Sequence, residues 1–346
     1  MDNIFIVIPT LNPNIKILDK LLKNLKKEFK NILVYDDGCR DEYKDYFKRL
    51  EKEKIIVLHH YVNLGKGRAM KDAFNYLLNN YPNLKGVVTA DSDGQHSVKA
   101  IKNCAKEVLE NPDSLILGCR DFDSPNVPTR NKLGNKITRS VFKIFVGLNI
   151  TDTQTGLRGL PKEVMIKFIT TDGERFSYET NQLLDTIEKD VPIKEITIET
   201  IYEDAVKESH FNPVKDSLAI YKLFLKYIFS SLSSFIIDIV MFWLLTKIFK
   251  FSNSIIVATI VARIISSLYN YLLNARVVFK KSNKSSLIKY GMLCVIQMLI
   301  SAFLVNIFSK SIKINVVIIK IVVDAFIFLI NFIIQRELIF KNEKKK

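Results

Sequence analysis

From about residue 227 to residue 338 one apolar stretch follows another, and this constrains the fold more than any other feature of the chain. A polypeptide in hydrocarbon must satisfy its backbone N–H and C=O groups internally, which leaves helices or a closed barrel. A spanning helix takes about 20 residues. Four segments near that length can be drawn, at about 227–249, 253–275, 289–309 and 314–336. Up to about residue 222, charged and apolar residues mix as in a globular domain. The 346 residues are thus expected to form an α/β domain at 1–222, with an amphipathic juxtamembrane helix near 214–226, and a four-helix membrane domain at 223–346.

Charge then gives an orientation. Arg276, Lys280, Lys281, Lys284 and Lys289 lie between the second and third spans, and Arg336, Lys341, Lys344, Lys345 and Lys346 follow the fourth. Only Lys247 and Lys250, and Lys310 and Lys313, flank the other loops. The positive-inside bias places the middle loop, the tail and the 1–222 domain in the cytoplasm, making a multi-pass protein of the plasma membrane. The opening "MDNIFIVIPTLNP" reads as no signal peptide, in keeping with that side. The net charge of +15 accompanies no basic stripe interleaved with aromatics, so a membrane surface is expected as the acidic partner and no nucleic acid. Cys39, Cys104, Cys119 and Cys294 lack CxxC spacing, which points to neither zinc nor disulfides and fits a reducing cytosol.

Within 1–222, "IFIVI" (4–8), "NILVY" (31–35), "IIVLHH" (55–60), "GVVTA" (86–90) and "SLILGC" (114–119) read as buried strands. Helical patterns alternate with them, such as Ile15, Leu18, Leu21, Leu22, Leu25 and Phe29. The alternation predicts a mostly parallel, Rossmann-like sheet with helices on both faces. Ligands of such sheets bind at the carboxyl ends of the strands. Those ends carry "PTLN" (9–12), "DDGCRD" (36–41), "NLGKG" (63–67) and "DSDGQH" (91–96). Asp91 and Asp93, on a turn after a buried strand, offer hard oxygens to Mg²⁺ or Mn²⁺ and leave positions open for a diphosphate. An isolated Asp-x-Asp equally suits a cap for the helix near Ser97.

Together, "IPTLN", "VYDDGCRD", "NLGKGRA", "DSDGQH", "GCR" and "DTQTGLR" (152–158) resemble, in order, the motifs of glycosyltransferase family 2, the inverting GT-A enzymes. The branch resembled is that of dolichol-phosphate mannose synthase and the polyprenyl-phosphate glycosyltransferases, over roughly residues 3–220. Cys39 stands where the family usually has serine, and Ser92 where it has alanine. The resemblance implies that Pro9, Asp36 and Asp37 line the nucleotide and that Asp91, Asp93 and Gln95 hold the metal. Lys66 suits either the diphosphate or a helix start. His96 suits either a ligand or, in preference, a hydrogen-bonding neighbour of the metal site, and His59 and His60 read as structural. Asp152, Gln154 and Thr155 resemble the acceptor-side loop, and Glu179 sits where relatives carry an acid; Asp152, Gln154 and Glu179 are assigned to the sugar.

A phosphate acceptor is already ionised and needs no general base; its site needs cations. Arg120, Arg130 and Arg158, in or beside the family motifs, are the expected ones alongside Asp93, with Lys132 and His210 as further candidates. The stretch 130–150 carries Ile137, Val141, Ile144 and Phe145 on one face, which suits either the membrane interface or core packing.

The membrane half contains a repeat. "NYLLNARVVFK" (270–280) aligns without gaps on "NFIIQRELIFK" (331–341), and the Lys-Tyr at 226–227 recurs at 289–290. It resembles the GtrA family of four-helix proteins associated with lipid-linked sugars. Asp238, Arg263 and Asp324 fall near mid-depth, so Arg263 is expected to pair with one of the aspartates, with Arg263–Asp324 the pair to test; Lys320 is expected to snorkel.

The resulting expectation is a metal-dependent inverting transferase moving one hexose, from a UDP-sugar in preference to a GDP-sugar, to polyprenyl phosphate (undecaprenyl or dolichyl) for cell-envelope glycans. Self-association stays open. The rivals are a lipid-linked-sugar translocator or scaffold with a vestigial catalytic domain, and a processive polysaccharide synthase. The synthases carry a QxxRW motif, whereas the single tryptophan here, Trp243, lies within a span.

Overall fold

The computed structural model describes residues 1–122, 127, 129–199, 218–248, 254–279, 285–311 and 316–340. The chain divides into two compact units, Met1–Ala219 and Ile220–Lys346. His210, part of the expected juxtamembrane helix and many of the loop and tail lysines lie outside the described residues.

The first unit is built on a seven-stranded sheet in the order β3-β2-β1-β4-β6-β5-β7. Its strands are β1 (Ile4–Thr10), β2 (Ile32–Asp37), β3 (Ile56–His60), β4 (Gly86–Thr89), β5 (Leu115–Arg120), β6 (Arg158–Pro161) and β7 (Ile193–Ile198). All neighbours are parallel except β6, which runs against both β4 and β5. β1 and β2 are buried along their whole length, which is why they read as continuous apolar runs rather than alternating ones.

Ile4, Ile6 and Ile8 of β1 share one cluster with helices α1 (Ile15–Leu25), α2 (Lys44–Lys52) and α4 (Val98–Glu110). The buried stripe of α1, Leu18, Leu21, Leu22 and Leu25, has the expected spacing, and Asn14 caps the helix by accepting the N–H groups of Lys16 and Ile17. On the other face lie α3 (Lys66–Asn80), packed on β1 and β2, and α6 (Lys162–Phe168), packed on β4 and β6. Burying each large apolar side chain of these layers contributes about 1.5–3 kcal/mol. α7 (Ser177–Glu188) packs on α3. The register sets Thr10 beside Asp36, Asp36 beside His59 and Asp37 beside His60, so three polar strand ends finish at one level.

Helix α5 (Thr129–Val141) runs on into a π turn, Phe142–Val146. It buries Asn135, Phe142 and Val146 yet leaves Leu133, Ile137 and Ile144 exposed by 59%, 56% and 43%. Core packing therefore accounts for only one of its faces. The side chains of Arg130, Val141 and Phe145 are outside the described ones.

The second unit contains α8 (Leu218–Ile248), α9 (Ser254–Leu273), α10 (Ser286–Ser311) and α11 (Val316–Ile334). Among the described residues, one segment, Leu225–Leu245, is long and apolar enough to cross a bilayer. The sequence repeat is also a structural one. α9 and α11 each end in a π turn at matching positions, Asn274–Val278 and Gln335–Ile339. Tyr227 packs on Phe332 at 4.8 Å and its counterpart Tyr290 on Tyr271 at 5.6 Å, while Phe279 and Phe340, also counterparts, stack at 5.0 Å. A buried polar chain runs through this contact. Tyr290 donates to Asn270 Oδ1 (2.7 Å), Asn274 to Asn270 Oδ1 (2.9 Å) and Gln335 Oε1 (2.9 Å), and Gln335 to the Tyr227 hydroxyl (3.1 Å).

The pair chosen for test from sequence needs correction. Arg263 meets Asp238 at 3.6 Å, and Asp324 accepts from Ser301 at 2.5 Å. The repeat supplies the reason. Aligning Tyr227 on Tyr290 puts Asp238 opposite Ser301, so both contacts join the two helices of one half, and Arg263 and Asp324 belong to different halves. Lys320's side chain lies outside the described ones.

Replacing Gln335 with leucine should strand one of the two Asn274 amide hydrogens and the Tyr227 hydroxyl in a buried setting, the bond from Asn274 to Asn270 remaining. Each orphaned group costs about 1–3 kcal/mol, so the full-length Gln335→Leu protein should unfold at a clearly lower temperature in detergent.

Candidate active site

Two loops at the carboxyl edge are locked together by one carboxylate. Asp37 accepts the N–H groups of Leu64 (2.9 Å) and Gly65 (2.9 Å) and lies 2.7 Å from His60 Nδ1, whose Nε2 is 3.0 Å from Asp72. Gly38 and Gly65 have φ of +70° and +107°, and a Cβ would run into the backbone of Val62 and Asn63 at the first and of Glu174 at the second. Asp36 accepts the Cys39 N–H at 2.8 Å and lies 2.8 Å from His59 Nδ1. Burial pushes the Cys39 thiol up to about 12, so it stays protonated. It accepts the Asn12 N–H at 3.1 Å, as a neutral group. Asp37, expected along the nucleotide, is turned inward as loop scaffold.

Gly65 hands the chain to Lys66, the first residue of α3. Both readings of Lys66 are realised, because its ammonium also reaches Asp91 at 2.6 Å and Glu179 of α7 at 2.9 Å. Burial pulls the Lys66 pKa down, but the two carboxylates outweigh it and hold the amine charged. Asp91 shows the converse. Burial raises its pKa, and Lys66 and His96 outweigh that, keeping it ionised; His96 Nε2 lies 3.4 Å from it. Asp93 is pushed up, first by burial and then by the negative charge of Asp91.

Neither aspartate caps α4. Ser97 does so through the Ala100 N–H, and Asp93 instead accepts the Gln95 N–H at 3.0 Å. Gln95 is tied to the pair through its backbone.

β6 supplies the floor. Thr155 donates to Gly118 O and Thr89 to Gly156 O, so the loop before β6 is bolted to β5 and β4. Gly156 then lies against the Asp91 carboxylate so closely that a Cβ there would overlap it. In the sequence this glycine carries no assigned role within "DTQTGLR"; its only signal is its place in the motif.

Arg120 forks onto Asp152 with bonds of 2.7 and 3.0 Å, and Asp152, fully buried, also accepts the Gln154 N–H. Asp152 is thereby consumed inside the protein and reaches the site only through Arg120, which is 23% exposed at its side chain. Arg158, 1% exposed, donates to the carbonyls of Thr155 and Glu179 and to Gln182 Oε1. Burial lowers its pKa. Expected from sequence to meet an anionic substrate, Arg158 is buried in the structure and braces the Glu179 backbone from below. Pro9 is buried in β1, Gln154 and Lys132 are half-buried, and His96 Nδ1 is buried without a partner among the described residues.

The structure thus brings Lys66, Asp91, Asp93, His96 and Glu179 together, with Arg120 and Asp152 beside Thr155. A hard divalent ion fits the first group. Asp91 crowds Asp93 enough to raise its proton affinity, which a dication would relieve. Among the described residues no group of three or more His, Cys, Asp and Glu is placed to hold a metal ion.

Residues 5–168 match the family model described as glycosyl transferase family 2. An uncharacterized protein of Methanocaldococcus jannaschii is 31% identical over 233 residues, 66% of this chain and 93% of that protein. The chain belongs to glycosyltransferase family 2. Residues 226–340 of this glycosyltransferase match a second model, the GtrA/DPMS transmembrane domain. It is 26% identical to the UDP-N-acetylglucosamine–dolichyl-phosphate N-acetylglucosaminyltransferase of Methanococcus voltae over 225 residues, 58% of this chain and 86% of that one. Glycosyltransferase AglJ of Haloferax volcanii is 24% identical over 225 residues, 64% and 70%. Among solved structures, glucosyl-3-phosphoglycerate synthase of Mycobacterium tuberculosis aligns with a TM-score of 0.47 at 15% identity, over 65% of this chain and 78% of that one.

Gly156→Ala should push the Asp91 carboxylate aside. A misplacement of about 1 Å can cost on the order of 10²-fold, so kcat should fall by that order while the thermal midpoint changes little; unchanged kcat would dismiss Gly156 as a support.

Proposed function

We propose that the glycosyltransferase moves a single hexose from a nucleotide sugar, with a UDP-sugar favoured, to polyprenyl phosphate at the cytoplasmic membrane face, with inversion at the anomeric carbon. The observation that carries this reading is α5. A helix of the catalytic unit leaves Leu133, Ile137 and Ile144 exposed, with Lys132, Lys136 and Lys143 in the same helical stretch, and this suits a lipid surface with anionic headgroups. The four helices of the GtrA/DPMS domain are read as four spans, and the domain boundary as lying near residue 222. The Methanococcus voltae relative, whose name states both substrates, uses a UDP-sugar and a dolichyl phosphate, which supports the same pair here.

The chemistry requires no base. An oxygen of the lipid phosphate, already ionised, attacks the anomeric carbon. The carbon–oxygen bond to the donor's β-phosphate breaks, and the electron pair leaves with the nucleoside diphosphate. Asp91 and Asp93, with Gln95 at the edge, would hold Mg²⁺ or Mn²⁺, whose chemistry when bound is charge stabilisation of that leaving diphosphate. Lys66 adds a cation on the same side. Asp36 and Pro9 line the nucleotide end, Glu179 and Gln154 the sugar, and Asp152 fixes Arg120 toward the acceptor phosphate, with Arg130 as a second cation.

Asp93→Asn keeps size and removes a charged ligand. It should lower transfer by at least about 10²-fold, on the order of removing one transition-state contact, with the protein still folded; wild-type turnover at saturating Mn²⁺ would defeat the metal assignment. With purified protein, Mn²⁺, undecaprenyl phosphate and a panel of labelled nucleotide sugars, the product should carry one sugar, and dephosphorylated polyprenol should be inert. Chains that lengthen with time would indicate a polymerase. The Leu133→Asp, Ile137→Asp double variant should raise KM for the lipid acceptor by about tenfold or more, given about 1.5–3 kcal/mol per buried aliphatic side chain, and leave the donor KM unchanged.

A further inference from the structure

Lys66 is held in an unusual way for a residue that faces a phosphate site. Its ammonium contacts two carboxylates from two different elements, Asp91 at 2.6 Å and Glu179 at 2.9 Å. The side chains of Lys66 and Glu179 are only 15% and 12% exposed, whereas that of Asp91 is 32% exposed. The open member of the trio is therefore the first aspartate of the Asp-x-Asp pair. The backbone of Lys66 is fixed, because the Gly65 N–H is bound by Asp37 and the following turn is packed by Gly67 against Tyr178. Only the side chain can answer an arriving ligand.

We propose that Lys66 is a stand-in cation: its ammonium occupies Asp91 until a nucleoside diphosphate arrives, so that the divalent ion is taken up with the nucleotide and not before it. This rests on the assignment of Asp91 and Asp93 as metal ligands. A divalent ion approaching Asp91 alone must share the carboxylate with an ammonium 2.6 Å from one of its oxygens, and like charges that close repel. A diphosphate changes the balance, since it offers anionic oxygens to the ammonium as well as to the ion. Glu179 gives Lys66 a second anchor while Asp91 is surrendered, which keeps the ammonium beside the diphosphate, where negative charge grows as the sugar departs. Binding of ion and nucleotide is then positively coupled, and linkage makes the coupling equal in both directions.

The test reads metal binding rather than turnover. Mn²⁺ is titrated into the full-length protein in detergent, with and without UDP or GDP, following the free-ion EPR signal. Wild type should bind Mn²⁺ weakly alone and more tightly with nucleotide. Lys66→Met should bind Mn²⁺ alone about tenfold tighter than wild type, a size usual for coupled sites, and gain less from nucleotide. Lys71→Met is the charge control, since Lys71 pairs with Glu174 at 2.8 Å and not with Asp91; it should stay within about twofold of wild type on the same scale. Thermal unfolding verifies that each variant is folded. Equal Mn²⁺ affinity in Lys66→Met and wild type, or an equal gain in Lys71→Met, would overturn the stand-in role and leave the metal assignment intact. A wild-type protein that takes up no Mn²⁺ even with nucleotide would overturn both.

Discussion

The catalytic edge depends on one electrostatic balance, the ammonium of Lys66 set between Asp91 and Glu179. Asp91, Asp93 and Glu179 would by themselves make a half-buried anionic pocket, the wrong sign for a diphosphate. The ammonium of Lys66 offsets part of that charge, and the His96 imidazole lies 3.4 Å from Asp91. The balance is possible only because unrelated stretches arrive at one point: a loop after β3, a loop after β4 and the first turn of α7.

Geometry at that point is enforced from behind. Asp37 closes the β2 and β3 loops on each other, the antiparallel β6 slides Gly156 under Asp91, and the buried guanidinium of Arg158 ties the backbone of Glu179 to that of Thr155. None of these groups touches substrate in the proposed mechanism. They remove the freedom of those that do, which is how a site reaches the sub-ångström placement that transfer chemistry demands.

Much of this was legible in the sequence, for physical reasons that also set the limit. β1, β2, β4 and β5 stood out because strands buried on both faces are written as short continuous apolar runs, and β3, half-buried at the sheet edge, still stood out through Ile56, Val57 and Leu58. β6 did not, since it is four residues long and opens with an arginine, and β7 did not because Lys194 and Glu195 interrupt its apolar pattern. The aspartates were legible through their motifs, but the partner of Lys66 was not, because periodicity says nothing about contacts between distant segments. The burial of Arg158 and Asp152 was not legible for one shared reason: charged residues in a functional motif suggest exposure, whereas here Asp152 is held by Arg120 and Arg158 donates to two carbonyls and to Gln182. In the membrane half the repeat was visible, yet it drew attention to Arg263 and Asp324 as partners when equivalence by repeat is what keeps them in separate halves.

The polar chain at the meeting of those halves carries a consequence for how the domain arose. Hydrogen bonds have a direction, and here donation runs from Asn274 to Gln335 and onward to Tyr227. Two identical carboxamides on a twofold axis could pair reciprocally, each donating to the other, and would spend their N–H groups on each other. Joining the halves in one polypeptide lets the residues on either side of the axis differ, asparagine on one and glutamine on the other. The bond then runs one way, and the glutamine's own N–H is left to reach the Tyr227 hydroxyl.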